Sequence, residues 1–150
     1  NPYAMFELGA MYAVGRGVKK NYVKASKYLR LSGTEQARAM LEDSVNWWRP
    51  AAERGITEGE YQYGVCLVNG YGVEPNYAEG YKWLYKAALK DHPKALDALS
   101  QIYEFGIGVE PDKGKALFWK KKYCDVTGTA PGDVGITRDQ LVSPEPQETE

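Results

Sequence analysis

The sequence predicts an all-α protein, a right-handed α-solenoid (α/α superhelix) of helix-turn-helix repeats about 36 residues long, one of them degenerate. Two observations predict this fold. The hexapeptide GYGVEP at residues 70–75 recurs 36 residues later, at residues 106–111, as GIGVEP, and a fixed period in this range is typical of solenoids. Between the turn motifs, apolar residues recur at helical spacing, so that Ala4, Leu8 and Tyr12 share one helix face.

The first repeat contains a third copy of the turn, GRGV at residues 15–18, which lies 55 residues before the next complete copy. At the same offset Gly9 matches Gly64 and Leu29 matches Leu84, so both helices are in register with the later repeat. Two glycines suit a tight reversal between helices, which needs positive φ or a close approach of backbone. We expect the valine after each glycine pair to place its side chain between the two helices.

A degenerate repeat explains the longer interval, since 55 residues equal one period of 36 plus 19. Trp47 lies 36 residues before Trp83, in the second helix of its own unit. We interpret residues 34–55 as a unit without the glycine turn, whose first helix, around residues 35–42, is short or fused to the next. Pro50 stands inside the second helix, where it removes a hydrogen bond and predicts a kink. The solenoid domain is therefore residues 1–127, with units at about residues 3–33, 34–55, 58–91 and 94–127.

Short polar residues and glycines mark the ends of the second helices. An Asn or Asp stands before each complete second helix, as N-cap residues do; these are Asn21, Asn76 and Asp112. Glycines follow second helices where a left-handed residue commonly ends a helix; these are Gly33, Gly55 and Gly128.

The two ends of the sequence differ in character from the repeats. Residues 128–150 are rich in Gly, Pro and acidic residues, so we expect a tail that is partly disordered. Its apolar segment at residues 134–141 is a possible C-terminal cap for the last repeat. The chain begins Asn-Pro-Tyr, without a Met or a signal sequence, and we interpret this start as a cut edge.

Composition limits the function classes. With 19 basic and 20 acidic residues the net charge is −1, which provides no overall basic field for nucleic acid. No apolar run approaches the roughly 20 residues of a membrane helix. One His and two Cys leave little material for a metal site or for His-based catalysis. We therefore predict no catalytic, cofactor-binding or metal-binding residues, and expect that the protein is not an enzyme.

Side chains that could carry chemistry have structural interpretations. His92 precedes a Pro between two units, where we expect a solvent-exposed loop residue. Glu58 and Glu60 are expected on a solvated helix face. Cys66 and Cys124 fall on a first and a second helix, without the spacing of a metal site. We expect both to be largely buried thiols without a disulfide.

The tryptophans follow the repeat. Trp47, Trp83 and Trp119 share one repeat phase, so we expect them in the core between hairpins. Trp48 lies outside that phase and is expected to be less constrained.

Three features together resemble a known family. The pattern AxxxLGxxY at residues 4–12, the GxGV turns and the second-helix residues Trp83, Ala87 and Ala88 are similar to Sel-1-like repeats (SLR), relatives of the tetratricopeptide repeat. The resemblance covers about residues 3–127. It implies a non-catalytic protein-protein interaction module, an adaptor or scaffold that binds a partner segment in the concave groove lined by first helices.

The resemblance also bears on compartment and cysteine pairing. Many bacterial members work at the envelope, in secretion or in host contact, whereas free thiols fit a cytosol. Localisation therefore stays open between the bacterial periplasm or envelope and the cytoplasm. Some secreted members carry a disulfide in each repeat, which joins the second helix of one repeat to the first helix of the next. Here Cys124 occupies such a position, but Gly132 stands where its partner would be. We expect a monomer that binds a protein or peptide.

Two alternative functions remain. One is an inhibitor or immunity-type protein that blocks a single secreted effector. The other is a β-lactam-interacting enzyme, as proposed for part of the disulfide-rich subset, although the chain contains no Ser-x-x-Lys motif.

Candidate partner-binding residues are first-helix positions that vary between repeats, since positions kept in phase form the fold. Phe6 and Tyr61 are large aromatics at one equivalent position, and aromatics are enriched at interfaces. The competing interpretation is that both contact a neighbouring hairpin. The complete candidate set is Phe6, Ala10, Tyr61, Gln62, Val65, Gln101 and Glu104.

Overall fold

The computed structural model describes residues 1–129, which form eight α-helices. The helices are α1 (Pro2–Val14), α2 (Tyr22–Ser32), α3 (Glu35–Glu42), α4 (Val45–Glu53), α5 (Thr57–Asn69), α6 (Tyr77–Leu89), α7 (Pro93–Phe105) and α8 (Lys113–Thr127). Helices α1 and α2, α5 and α6, and α7 and α8 pair as hairpins, whereas α3 and α4 of the degenerate unit contact each other only weakly. Neighbouring units touch through α2 and α3, α4 and α5, and α6 and α7. The protein is an α-solenoid, as the sequence predicts. Within the described residues, no helix is long and apolar enough to cross a membrane.

The degenerate unit has a short first helix. Helix α3 contains 8 residues, whereas α5 and α7 contain 13 each. It is separate from α4, to which Asp43 and Ser44 join it without a glycine pair. Helix α4 runs through Pro50, which is its sixth residue and lies inside the helix.

The predicted caps are present. The side chains of Asn21, Asn76 and Asp112 each accept a hydrogen bond from the backbone N–H three residues on, at 3.0–3.1 Å. Gly33 and Gly128 end α2 and α8 in the left-handed conformation. Three first helices also have side-chain caps, which are chemically varied. The residues that accept backbone N–H groups of the first turn are Asn1 for α1, Thr34 for α3 and His92 for α7.

Glycines allow the two helices of the first and third hairpins to approach closely. A Cβ atom built on Gly64 would lie 2.8 Å from Cγ of Leu84, and one built on Gly9 would lie 2.8 Å from Cγ of Leu29. Both leucines are almost completely buried. The recurrence of the Gly and Leu pair at 55 residues therefore reflects a packing contact inside each hairpin.

The second turn glycine has two roles. Gly17, Gly72 and Gly108 all have φ between 73° and 78°, where a side chain is strained. A Cβ on Gly72 would also lie 2.0 Å from the Glu42 carbonyl oxygen, and one on Gly108 would lie 2.4 Å from Cβ of Tyr77. Gly72 and Gly108 thus form the contact with the preceding hairpin as well as the turn.

The valine after each turn is not placed uniformly between its own helices. Val73 packs against Val45, Trp48 and Cys66, which belong partly to the preceding hairpin. Val109 is 36% exposed, so the expectation that every such valine fills the space within its hairpin is wrong.

The tryptophans follow the repeat phase only in part. Trp119 is buried at 5% exposure, as expected, but Trp47 and Trp83 are half-buried. Trp48, expected to be the less constrained one, is 6% exposed and packs with Val45 and Cys66. That expectation is wrong because Trp48, rather than its neighbour in phase, faces the interior between α4 and α5.

The core is continuous through the last two hairpins. Its most buried members include Leu84, Leu96 and Leu99, with 2% exposure or less. Two smaller clusters lie around the degenerate unit, one centred on Leu29 and Leu41 and one on Trp48. The expected C-terminal cap at residues 134–141 and the rest of the tail after residue 129 lie outside the described residues.

Candidate protein-binding surface

The candidate residues lie on α1, α5 and α7, the first helices of the complete hairpins. Phe6 on α1 is half-buried and packs against the cluster of Leu29, Ala37 and Leu41. The ring therefore contacts the second helix of its own hairpin and the first helix of the next one. Its remaining surface is open to a partner.

Tyr61 on α5 is also half-buried. Its ring stacks on His92 with the ring centroids 4.7 Å apart and the planes 19° apart. Burial raises the pKa of its hydroxyl. Tyr61 thus joins α5 to the start of α7, and the structure agrees with contact to a neighbouring hairpin over one of its faces.

Gln62 lies in the interior at 1% exposure. Its Oε1 accepts a hydrogen bond of 2.9 Å from Arg30 Nη2, and its Nε2 donates one of 2.8 Å to Glu58 Oε2. A buried amide with both ends satisfied positions its neighbours. In this conformation Gln62 supports the surface from below and offers little surface to a partner.

His92 is not the exposed loop residue that the sequence led us to expect. Its side chain is 11% exposed, its Nδ1 accepts the N–H of Ala95 at 3.3 Å, and its Nε2 lies 2.7 Å from Glu58 Oε1. Because Nδ1 accepts, Nε2 carries the hydrogen and donates to the carboxylate. His92 therefore caps α7 and ties it to α5.

Glu58 and Glu60 are not simply solvated. Burial by itself would raise the pKa of Glu58, but hydrogen bonds from His92 and Gln62 and the nearby positive charges outweigh it, so this pKa lies below its ordinary value. Glu60 is 4% exposed and lies 3.2 Å from Lys90 Nζ. Glu58 therefore binds across the boundary between hairpins, to the residue that begins α7, whereas Glu60 pairs with the residue that ends α6, in its own hairpin.

The remaining candidates range from half-buried to exposed. Ala10 and Val65 are half-buried, and Val65 packs on the C-terminal core. Gln101 and Glu104 are exposed on α7. Glu104 pairs with Lys113 at 3.3 Å, an exposed contact that a partner can exchange for its own at little cost.

The thiols take no part in this surface. Cys66 and Cys124 are both buried and form no disulfide, as expected. Burial raises the pKa of Cys66, whose Sγ lies 3.4 Å from Ser44 Oγ. Within residues 1–129, no three His, Cys, Asp or Glu side chains form a group that could hold a metal ion.

Sequence reasoning missed the polar network that joins Arg30, Gln62, Glu58 and His92. A local signal existed for one member, because a polar residue followed by Pro at the first helical position is a common helix start. Gln62 and Glu58 lie four residues apart on α5, a spacing that brings side chains of one helix together. The other two contacts span 32 and 34 residues, and no local pattern encodes them.

Comparison with known families shows that a family model matches most of the chain. The family model described as Sel1 repeat matches residues 2–35, 41–56, 57–92 and 93–122. Three of the segments coincide closely with the complete hairpins, whereas the second, in the degenerate unit, contains α4 but only the last two residues of α3.

Curated relatives are longer proteins. An uncharacterized protein of Neisseria meningitidis serogroup B is 27% identical over 136 residues, which cover 83% of this chain and 29% of that protein. Chitin synthase regulatory factor 3 of Schizosaccharomyces pombe is 37% identical over 78 residues, covering 51% of this chain and 8% of that protein. The chain thus spans less than a third of these relatives.

Two solved structures share the fold. A Sel1 repeat protein from Oxalobacter formigenes has a TM-score of 0.55 at 24% identity, over 84% of this chain and 41% of that one. A protective antigen with an SLR fold from uropathogenic Escherichia coli strains has a TM-score of 0.52 at 24% identity, over 94% of this chain and 36% of that one.

Proposed function

The chain belongs to the Sel1 repeat family, and we propose that it is a non-catalytic adaptor which binds a segment of a partner protein along its first helices. Sel1 repeats are generally protein-protein interaction modules. The proposed surface consists of Phe6, Ala10, Tyr61, Val65, Gln101 and Glu104, with Gln62 beneath it.

The observation that carries the proposal is the contrast between constant and variable positions. Inside the hairpins Gly9 and Gly64 receive Leu29 and Leu84 in the same way. On the surface of the first helices the corresponding side chains change in size and charge from repeat to repeat. Variation on one face of a constant scaffold suits recognition, because stacked repeats form an extended binding surface.

The rigidity of this surface supports the proposal further. Tyr61 is stacked on His92, and His92 is hydrogen-bonded to Glu58, so α5 and α7 are joined by polar contacts at their N-terminal ends. A surface already ordered before binding loses less conformational entropy when a partner docks. The relative named as a chitin synthase regulatory factor is consistent with action through another protein.

Affinity capture with matched variants tests the proposal. The bait is the whole chain, and the lysate comes from the organism that encodes it. Glu104→Lys reverses an exposed charge near the end of α7, a first helix, while Glu53→Lys makes the same change at the end of α4, a second helix. Both positions are exposed, so neither change should disturb folding.

The proposal predicts that Glu104→Lys loses a specific partner or binds it about tenfold more weakly, which corresponds to ~1.4 kcal/mol of binding free energy. Glu53→Lys should bind the same partner as wild type does. The affinity of the purified partner for each variant is then measured by calorimetry. Equal binding by the two variants, or a loss with Glu53→Lys alone, would place the partner on the other face and overturn the proposed surface.

A further inference from the structure

A cleft of about 460 Å³ lies beside the degenerate unit, between the end of α2, the short helix α3 and the turn after α5. Its buried side consists of Leu29, Leu41 and the half-buried Tyr71. Its more exposed side carries Arg30, Arg38 and Glu35. The volume is in the range of about 300–1,000 Å³ that ligand-binding clefts occupy.

Arg30 is a half-buried cation without a matching anion. One end of its guanidinium, Nη2, donates to Gln62 Oε1 at 2.9 Å. Its Nε is shielded from solvent and has no hydrogen-bond acceptor in the described part of the chain. Removing a charge from water without pairing it is unfavourable, so a carboxylate brought to this guanidinium would gain a strong hydrogen-bonded pair.

The repeat itself does not require this arginine. At the 55-residue offset its place is taken by Tyr85, whose ring packs edge-on against Trp119. The equivalent residue of the degenerate unit is Arg49, and its Nε has an acceptor, the hydroxyl of Tyr63 at 3.2 Å. Arg30 therefore differs from its counterparts because it lines a cleft as a cation whose shielded Nε has no acceptor within the described residues.

The charges around the cleft favour an anion. Arg38 lies on the exposed side of α3 and, like Arg30, forms no ion pair within residues 1–129. Glu35 is the opposing charge, but it is exposed and pairs with neither arginine. Two positive charges and one negative charge leave the lining at +1.

We propose that this cleft binds an acidic side chain of a partner protein that is flanked by aliphatic residues. The carboxylate pairs with Arg30 and Arg38, and the aliphatic neighbours pack on Leu29, Leu41 and Tyr71. The inference rests on the proposed function, because it names one residue type in the partner segment.

A peptide titration followed by nitrogen–proton correlation spectra tests the cleft directly. The probe is acetyl-Leu-Glu-Leu-amide, and the control is acetyl-Leu-Gln-Leu-amide, which has the same shape without the charge. With a dissociation constant on the order of 1 mM, the probe should shift the Nε–Hε signal of Arg30 and the backbone signals of residues 33–41. The glutamine peptide should leave them unchanged.

Variants sharpen the test. Arg30→Gln should weaken the shifts at least about fivefold and Arg38→Gln less, while Glu35→Gln should strengthen binding. Lys24→Gln removes one positive charge from an exposed position of α2 and should change nothing. Because Arg38 is exposed, its variant remains informative even if Arg30→Gln perturbs folding.

Other outcomes would overturn the inference. Equal shifts with both peptides, no shift at all, or shifts that Lys24→Gln abolishes would each contradict a carboxylate site in the cleft. The result is separable from the proposed function. If the captured partner binds Arg30→Gln as well as wild type, the cleft is refuted while the adaptor function stands. If the peptide binds but no partner depends on Glu104, the cleft stands and the first-helix surface is refuted.

Discussion

Replacing the second turn glycine with alanine should cost very different amounts of stability in different repeats. Gly17 and Gly72 occupy the same position of the turn and have φ of 78° and 73°. Around Gly17 a new Cβ would meet only Cε of Met11 at 3.7 Å, an ordinary contact. Around Gly72 it would lie 2.0 Å from the Glu42 carbonyl oxygen and 2.9 Å from Cγ1 of Val45.

The magnitude follows from separating two contributions. The left-handed conformation costs a non-glycine residue roughly 1–2 kcal/mol, and the stiffer unfolded chain returns about 0.4–1 kcal/mol. Gly17→Ala should therefore lower the free energy of unfolding by about 1 kcal/mol. Gly72→Ala adds displacement of backbone at the α3–α4 junction, and overpacking typically costs a further ~1–3 kcal/mol.

Urea unfolding followed by helical circular dichroism measures the difference. We expect Gly72→Ala to be less stable than Gly17→Ala by about 1–3 kcal/mol at similar urea dependence. Gly108→Ala should resemble Gly72→Ala, because its Cβ would lie 2.4 Å from Cβ of Tyr77. If the free energies of unfolding of all three variants agree within about 0.5 kcal/mol, the left-handed turn conformation alone determines the cost of the substitution. The close contact between hairpins then adds nothing to that cost, and the reasoning is refuted.

Three other measurements check particular side chains. Trp48→Ala should lower the free energy of unfolding by about 3–5 kcal/mol because the ring is 6% exposed. Trp47→Ala should lower it less, because Trp47 is half-buried. If thermal unfolding shows the reverse order, Trp47 is the core residue, as the repeat phase predicts. Because the folded pKa of Glu58 lies below 4.5, its carboxylate should stabilise the fold above that pH and lose this effect as pH falls through the folded pKa. The stability difference between wild type and Glu58→Gln should therefore be larger at neutral pH than in acid, and a difference independent of pH would refute the pairing with its histidine. Cys66 and Cys124 are both buried, and the raised pKa of the Cys66 thiol also disfavours its thiolate. A disulfide reagent should therefore label both cysteines only after unfolding. Rapid labelling of the native protein would contradict their burial.

Features that depend on a few neighbouring residues could be predicted from the sequence. Asn21, Asn76 and Asp112 cap their helices because the capping bond reaches only three residues along the chain. The turns and the short helix α3 follow in the same way from the glycine pairs and from the 19 residues left over in the spacing.

Features that depend on how hairpins stack could not be predicted in this way. Trp47 and Trp48 are adjacent on α4, and only the position of α5 decides which indole is enclosed. The same holds for the candidate surface. Gln62 varies between repeats, as a recognition residue would, but its side chain is buried and bonds to Arg30 on α2 and to Glu58 on its own helix.

Hydrogen exchange of the complex with the captured partner tests the proposed surface most directly. Amide exchange is compared between the chain alone and the chain with saturating partner, and protection is read for each helix. We predict slower exchange in α1, α5 and α7, at and around Phe6, Tyr61 and Gln101. Protection confined to α2, α4, α6 and α8 would contradict binding along the first helices.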